Sequence, residues 1–360
     1  MKIAIFQDFI ENIGGAEKLV IDTAKKLDAT IITTNLNRKA VEDMGGKGIR
    51  IIDLGSTPQF FPIKNILIFL KFFFCDFSKE FDFFIFSGNR SIFAAHNHKP
   101  NLWYCHSPER SIFDLKEFYK TILPLHEKII FIFSAELFRF FYFVFGVNKV
   151  QKILTNSENT RKRIKKFLKK QAVIVYPPIN TANYKNRKPQ GYWLSVNRLY
   201  PAKRIELQLE CFRKLPSEKL FIAGGFVKGD VSEAYAKKIS SMLPKNVTLL
   251  GNVSDPELID LYSKCRGFIA TALDEDFGMS VAEALASGKA VVCVDEGGFK
   301  ETVSDGATGF LVKADANALA VAVRKVSENP EKYKNACIKR AELFSSKRFF
   351  EKLDLEIKKS

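Results

Sequence analysis

Asp274-Glu275-Asp276-Phe277-Gly278-Met279-Ser280-Val281-Ala282-Glu283-Ala284-Leu285-Ala286-Ser287-Gly288 follows an apolar run at 268–272. That run is too short for a helix and suits a buried strand. The stretch after it predicts a helix over 279–287, with Gly288 as its stop. Strand, short acidic loop and helix together form one unit of a parallel sheet wound with helices. In such sheets ligands bind beyond the carboxyl ends of the strands. Glu275 falls in that loop, and Glu283 lies one turn inside the helix. The amides of Phe277, Gly278 and Met279 stand at the positive helix end. A carboxylate for hydroxyl groups is thus paired with an amide cradle for phosphate. Val281, Ala282, Ala284 and Leu285 leave this helix little exposed face, so Glu283 is expected to be buried and partnered.

The same alternation extends over the whole chain. Short apolar runs fall at 2–9, 29–35, 49–54, 82–87, 101–106, 151–156 and 172–177, then at 191–197, 219–226, 247–253, 267–273, 290–295 and 309–312. Helical patterns separate most of them, for example at 15–27, 158–169, 205–215 and 256–265. Strands alternating with helices predict parallel sheets covered on both faces, and the twofold recurrence predicts two doubly wound domains. Tyr176-Pro177-Pro178 ends a strand, and the polar, irregular residues 180–190 read as a linker. The expected division is 1–183, 190–345 and a C-terminal helix at 346–360 that returns to the first domain.

Composition narrows the class. A chain of 360 residues favours two domains. Hydrophobic residues make up 46% and charged residues 27%, which argues against disorder. The six cysteines show no C-x-x-C pair, so neither a zinc ribbon nor a dithiol redox site is supported, and reduced cytosolic thiols are expected. Met1-Lys2 runs directly into the first strand, so no signal peptide is expected. Lys and Arg exceed Asp and Glu by 56 − 40 = +16, and Phe is over-used at 34 residues. Two apolar stretches, 63–74 and 128–145, are interrupted by Lys64, Asn65 and Lys71 and by Glu136 and Arg139. Neither is expected to span a bilayer, which takes about 20 residues nearly free of charge. Both suit a membrane surface, or else the core of the first domain.

Other strand ends carry further candidates. Asn12-Ile13-Gly14-Gly15-Ala16-Glu17 links the first strand to the first helix and reads either as a ligand loop or as a tight turn; it is not the G-x-G-x-x-G of dinucleotide binding. Ser195-Val196-Asn197-Arg198-Leu199-Tyr200-Pro201-Ala202-Lys203-Arg204 opens the second domain. Its cations, with Lys203 expected to begin a helix, suit a diphosphate. Glu296-Gly297-Gly298-Phe299-Lys300-Glu301 follows another strand. Trp103-Tyr104-Cys105-His106-Ser107-Pro108-Glu109-Arg110 places His106 at a strand's carboxyl end, where function concentrates.

In order and spacing these segments resemble family four of the retaining glycosyltransferases, whose two-domain fold is called GT-B. The resemblance covers nearly the whole chain. Its most specific part is the pair Glu275 and Glu283, eight positions apart around Phe277-Gly278. The Arg198…Lys203 pair, the Gly14-Gly15-Ala16-Glu17 loop and the Gly297-Gly298-x-x-Glu301 segment agree in register. Tyr104-Cys105-His106-Ser107-Pro108, with Arg110 and Asp114, is similar to the mannosyltransferases of O-antigen and cell-surface polysaccharide assembly. Asn197 departs from the family, which often has glycine there; only the local turn is expected to change.

The resemblance implies an α/β fold of two Rossmann-like doubly wound domains facing a cleft. It implies that Arg198 and Lys203 grip the donor diphosphate and that Glu275 hydrogen-bonds hydroxyls of the donor sugar. Glu283 holds the ribose, and Phe277, Gly278 and Met279 give backbone contacts to sugar and phosphate. His106 sits near the anomeric carbon, the Gly14-Gly15 loop approaches the phosphate, and Val253 lies near the base. The implied donor is a nucleotide-sugar, GDP-mannose, and the acceptor is a glycan or a polyprenyl-linked glycan. No cofactor and no metal are expected, since two fixed cations can replace a divalent ion at the leaving phosphate. Asp274-Glu275-Asp276 spells the metal-binding Asp-x-Asp of another glycosyltransferase fold, but its place before Phe-Gly and a helix carrying Glu283 reads as a donor-sugar loop. The implied setting is cytoplasmic, peripheral on the inner membrane face, against an anionic surface. The competing readings are a nucleotide-sugar epimerase of the same architecture, a glycan phosphorylase, and a nucleic-acid binder suggested by the basic run 161–170. A phosphorylase needs a pyridoxal lysine and a longer chain, and no nucleic-acid motif is present.

Overall fold

The computed structural model describes residues 1–58, 63–123, 125–226 and 231–360. Two compact units emerge. One holds Met1–Tyr176 with Phe350–Ser360, and the other holds Pro177–Phe349.

The first unit begins with β1 (Ile3–Ile10) and α1 (Gly15–Leu27), then β2 (Thr30–Leu36), β3 (Ile51–Asp53), α2 (Ile63–Phe74), β4 (Phe83–Ser87) and β5 (Asn101–Cys105). It continues with α3 (Leu125–Phe141), β6 (Lys152–Thr155) and β7 (Val173–Ile174). The strands form one seven-stranded sheet in the order β3-β2-β1-β4-β5-β6-β7. Every pairing is parallel, with Gln7 opposite Ser87 where β1 meets β4. Because helices cover both faces, β1 and β4 are apolar almost throughout instead of alternating. Phe6, Phe84, Phe86, Phe93, Trp103 and Tyr142 are buried together at the centre of this unit. α1 shows the companion logic: Leu19, Val20, Ile21 and Ala24 are buried, while its last turn carries Lys25 and Lys26.

The second unit runs β8 (Tyr192–Val196), α4 (Ile205–Arg213), β9 (Lys219–Ala223), β10 (Val247–Gly251), α5 (Asp255–Lys264), β11 (Gly267–Ala270), α6 (Met279–Ala286), β12 (Val291–Val294) and β13 (Gly309–Val312). These strands form a six-stranded sheet, β10-β9-β8-β11-β12-β13, again parallel throughout. The final helix, α7 (Ser346–Lys358), spans the division between units, and Lys152 Nζ donates to the carbonyl of Glu356 at 2.8 Å within the first unit.

Strand order reverses between β1 and β4 in one unit and between β8 and β11 in the other. Those two points are where an open α/β sheet leaves a crevice for a ligand. The division falls at Tyr176 and Pro177, ahead of the polar stretch 180–190. That stretch is pinned to the second unit: Asn186 donates to the Ser287 carbonyl, Arg187 N–H to Ser263 and Gln190 N–H to Lys264. Polar composition signalled a linker, but buried carbonyls at helix ends need donors, and these residues supply them.

Candidate functional site

The reversal point of the second sheet gathers the residues that the sequence singled out. β8 ends at Val196, and the chain turns through Arg198 and a 3-10 turn at Pro201–Lys203 before α4. Lys203 therefore ends a 3-10 turn and does not begin the helix. Arg204, in the left-handed region at φ 49°, separates the two. Arg198 is exposed and lies over the Tyr200 ring at 4.9 Å, a cation–π contact that holds the guanidinium at the strand end. Lys203 Nζ reaches Glu275 Oε2 at 2.7 Å, so the loops after β8 and β11 meet through a partly exposed ion pair.

Arg204 is a scaffold residue that sequence reasoning passed over. Its guanidinium donates to the carbonyls of Thr271 and Ala272 and grips Glu296 with two nitrogens, at 3.1 and 2.7 Å. Glu296 also accepts the N–H of Asp274 at 3.2 Å. One bidentate pair thus joins the loops that follow β8, β11 and β12. The signal was present, since Arg204 stands beside Lys203, but a run of cations does not say which one faces inward.

Gly278 starts α6 at φ +89°, where a Cβ would meet Phe299 Cε1 at 2.9 Å. Gly297 and Gly298 serve packing: a Cβ on either would lie 2.4 Å from the carbonyl oxygens of Glu275 and Asp276, respectively. Gly298 N–H donates to the Glu275 carbonyl at 2.7 Å. Phe277 is buried, edge-on to Phe344 at 5.1 Å, so only its backbone faces the loop surface. Met279 is half-buried at the first position of α6. Val253 is also half-buried, two residues beyond the β10 end.

Glu283 is half-buried and partnered. Tyr262 Oη donates to its Oε2 at 2.8 Å, and the Tyr184 hydroxyl bonds the same carboxylate. Burial, then the negative charge of Glu283, pushes both phenols above the ordinary tyrosine range, so each remains a donor.

In the first unit, β4 ends at Ser87 and β5 at Cys105, just before His106. Ser87 Oγ and His106 Nε2 lie 3.0 Å apart, and the Tyr104 ring meets His106 edge-on at 5.0 Å. The His106 carbonyl accepts from Asn156 at 2.8 Å. Arg110 pairs with Asp114 at 2.8 Å, and Arg163 approaches the same carboxylate at 3.5 Å. Asp8, buried on β1, accepts the backbone N–H groups of Asn89, Arg90 and Ser91 and so shapes the turn after β4. Burial pushes its carboxyl up, opposed by Arg90 and those amides. Gly14 caps α1 without a side-chain bond, and a Cβ there would lie 2.3 Å from Glu17 Oε2, so this carboxylate folds back over the loop. Among the described residues, no three His, Cys, Asp or Glu side chains group as a metal site.

α2 and α3 divide their phenylalanines between two tasks. Phe69 and Phe73 pack against Phe141 and Phe145, at 5.5 and 5.2 Å, and Phe72 is wholly buried. Ile66, Leu70 and Phe74 on α2, and Ile129, Phe133, Leu137 and Phe140 on α3, are exposed. Helical structure continues from α3 through Val147, and the run Lys128–Val147, with mean hydropathy 1.8, is by length and composition enough to cross a membrane. The sequence expectation stopped short of that because it counted Glu136 and Arg139 as interruptions. They pair with each other at 3.2 Å on the exposed side.

Residues 177–344 match the family described as glycosyl transferases group 1. Alpha-1,3/1,6-mannosyltransferase ALG2 of Dictyostelium discoideum is 25% identical, over 96% of this chain and 96% of that protein. O-antigen chain mannosyltransferase RfbU of Salmonella typhimurium is also 25% identical, over 68% of this chain and 67% of its own. The crystal structure of Anabaena HepE in complex with UDP and glucose shares the fold at a TM-score of 0.77 and 18% identity, covering 99% of both chains.

Proposed function

We propose that this glycosyltransferase, a GT-B protein resembling the family four retaining enzymes and carrying its group 1 glycosyl transferase match at residues 177–344, moves mannose from GDP-mannose to a lipid-linked or polysaccharide acceptor. The observation that carries the reading is the meeting of Lys203 and Glu275 at the reversal point of the second sheet, beside the α6 N-terminus. A cation and an acid held there suit the two ends of a sugar diphosphate.

In the proposed step the bond between the anomeric carbon and the β-phosphate oxygen breaks. The acceptor oxygen bonds to the same face of that carbon, and its proton passes to the departing phosphate oxygen. Arg198 and Lys203 neutralise the charge that develops there, each worth about 3–4 kcal/mol when well placed. Glu275 accepts from sugar hydroxyls, and the amides of 277–279 meet the phosphate at the α6 N-terminus. Val253 lies towards the base and Glu283 holds the ribose. In the first unit, His106, fixed by Ser87, is assigned to the sugar near its anomeric carbon, and Gly14 and Gly15 to the donor phosphate. No side chain is assigned as a nucleophile. Mannose is favoured by the names of two relatives and by the Cys-His-Ser-Pro segment.

The exposed apolar residues of α2 and α3 support a membrane surface as the setting, where shallow insertion and attraction to anionic lipid add. A scan of GDP- and UDP-sugars against polyprenyl-linked and soluble acceptors tests the reaction. Preferential turnover of a UDP-sugar overturns the donor. Flotation with anionic liposomes tests the setting: binding should weaken as salt rises, because charge is screened over about 10 Å at 0.1 M. Absence of binding at low salt overturns it.

A further inference from the structure

We propose that Tyr184 and Tyr262 are positioning residues that hold Glu283 as a two-sided acceptor and thereby set the enzyme's selectivity for a ribonucleotide over a deoxyribonucleotide. The inference rests on the reading of Glu283 as the ribose-binding acid.

Three observations carry it. Tyr262, on α5, is wholly buried, and its hydroxyl donates to Glu283 Oε2 at 2.8 Å. Tyr184, from the polar stretch before β8, bonds the same carboxylate and meets the Tyr262 ring edge-on at 5.8 Å. The Tyr262 ring is itself fixed by stacking on Phe268 of β11 at 5.7 Å. The acid on α6 is therefore gripped from α5 and from the segment beyond Pro177, two places far apart in sequence.

Hydrogen-bond chemistry gives the grip its consequence. A carboxylate offers about four acceptor positions, and a phenol that stays protonated fills one as a donor. Donation by two phenols is compatible with bidentate acceptance from a vicinal diol on the open side. It also fixes the plane in which that diol must lie. A carboxylate on a freely rotating glutamate would order its own side chain on binding, a cost that pre-positioning removes. A ribose then gains both bonds, whereas a 2′-deoxyribose leaves part of a desolvated carboxylate unmatched.

The test is the affinity ratio of a nucleoside diphosphate to its 2′-deoxy counterpart. GDP and UDP and their 2′-deoxy forms are titrated calorimetrically against the full chain and against Tyr184→Phe, Tyr262→Phe and Glu283→Gln. The ratio is read for whichever base binds. Each tyrosine variant should lower the ratio about fivefold to tenfold, the worth of one ordinary hydrogen bond, mainly by weakening the ribonucleotide. Glu283→Gln should collapse it towards unity. A general packing defect would weaken both nucleotides equally and leave the ratio intact, which overturns the inference. A ratio kept by both tyrosine variants but lost in Glu283→Gln overturns the positioning role alone. A ratio kept in all three, or no binding of either base, overturns the ribose reading beneath it. Tyr184 is half-buried in a loop, so its variant remains a fair test where Tyr262→Phe unfolds.

Discussion

Lys203 Nζ stands 2.7 Å from Glu275 Oε2, with side chains 29% and 21% exposed. Two groups assigned to opposite ends of the donor thus neutralise each other when the donor is absent. On the proposed assignment, a diphosphate would compete with Glu275 for Lys203 and leave the acid available to sugar hydroxyls.

Glu275→Gln should therefore separate binding from turnover. The amide keeps the shape and an acceptor oxygen but loses the charge, so it holds Lys203 less tightly. Transfer should fall by about 10²–10³, the scale of losing one transition-state contact, while free nucleoside diphosphate binds as well or better. Turnover assays beside calorimetry check this. Near-normal turnover would sink the role of Glu275.

Arg198→Ala and Lys203→Ala should behave the opposite way. Both charges are proposed to face the diphosphate before and after reaction, so nucleoside diphosphate affinity and turnover should drop together. A loss of about tenfold or more in affinity is expected for each, by the scale of charge-assisted hydrogen bonds. Unchanged affinity in both variants would refute the assignment.

Arg204→Lys tests the scaffold. Lysine keeps the charge but cannot grip Glu296 with two nitrogens while reaching the carbonyls of Thr271 and Ala272. The denaturation midpoint of the second unit should fall, by about 1–3 kcal/mol of stability, and donor affinity should fall with it as the Asp274–Phe277 loop loosens. Glu296→Gln should reproduce part of the loss. An unchanged midpoint in both variants would remove the clamp from the account.

The fold was legible because its elements are strongly patterned. Buried parallel strands read as short apolar runs, and the helical pattern at 15–27 matches the helix Gly15–Leu27 end to end. Glu275 and Lys203 could be singled out because each lies in the loop after a strand, and Glu283 because it lies on the helix that the Glu275 loop leads into. What stayed hidden was partnership across long sequence separations. Nothing near Tyr184 or Tyr262 announces Glu283, and nothing near Arg204 announces Glu296, since such pairs exist only once the sheet sets its neighbours. The pair Gly297-Gly298 was open for a related reason: a sequence allows a close approach there, but does not say whether ligand or backbone makes it, and here the backbone of Glu275 and Asp276 does.

Turnover should persist in excess chelator, because Arg198 and Lys203 are assigned the place of a divalent cation at the leaving phosphate. Activity measured in EDTA, with and without added Mg²⁺ or Mn²⁺, checks it. Complete loss with EDTA and recovery with metal would return Asp274-Glu275-Asp276 to consideration as a metal motif.

His98 gives the fold a dependence on pH. It is wholly buried, with Nε2 accepting the Phe77 N–H at 2.9 Å and Nδ1 lying 2.6 Å from the Ala94 carbonyl. That pattern fixes a neutral ring with its proton on Nδ1. The Phe6 and Phe84 rings stand 4.9 and 4.8 Å away, so a charge there would be poorly solvated. Burial, first of all, pulls its pKa below the ordinary value, while the Ala94 bond and Asp76 push weakly upward and His96 pulls downward. With the folded pKa depressed below an unfolded value of about 6.5, the unfolded chain binds the proton more readily between the two. Stability should therefore be fully present above about pH 7 and be lost as pH falls below 6.5 towards the folded pKa. Imidazole resonances of the native protein give the direct measurement. The His98 signal should titrate with a midpoint below 6.5, and a folded-state midpoint at or above 6.5 would overturn the prediction. Thermal midpoints should agree, with the decline from pH 7.5 to 5.5 shallower in His98→Phe than in the parent, although the variant starts lower for want of two hydrogen bonds.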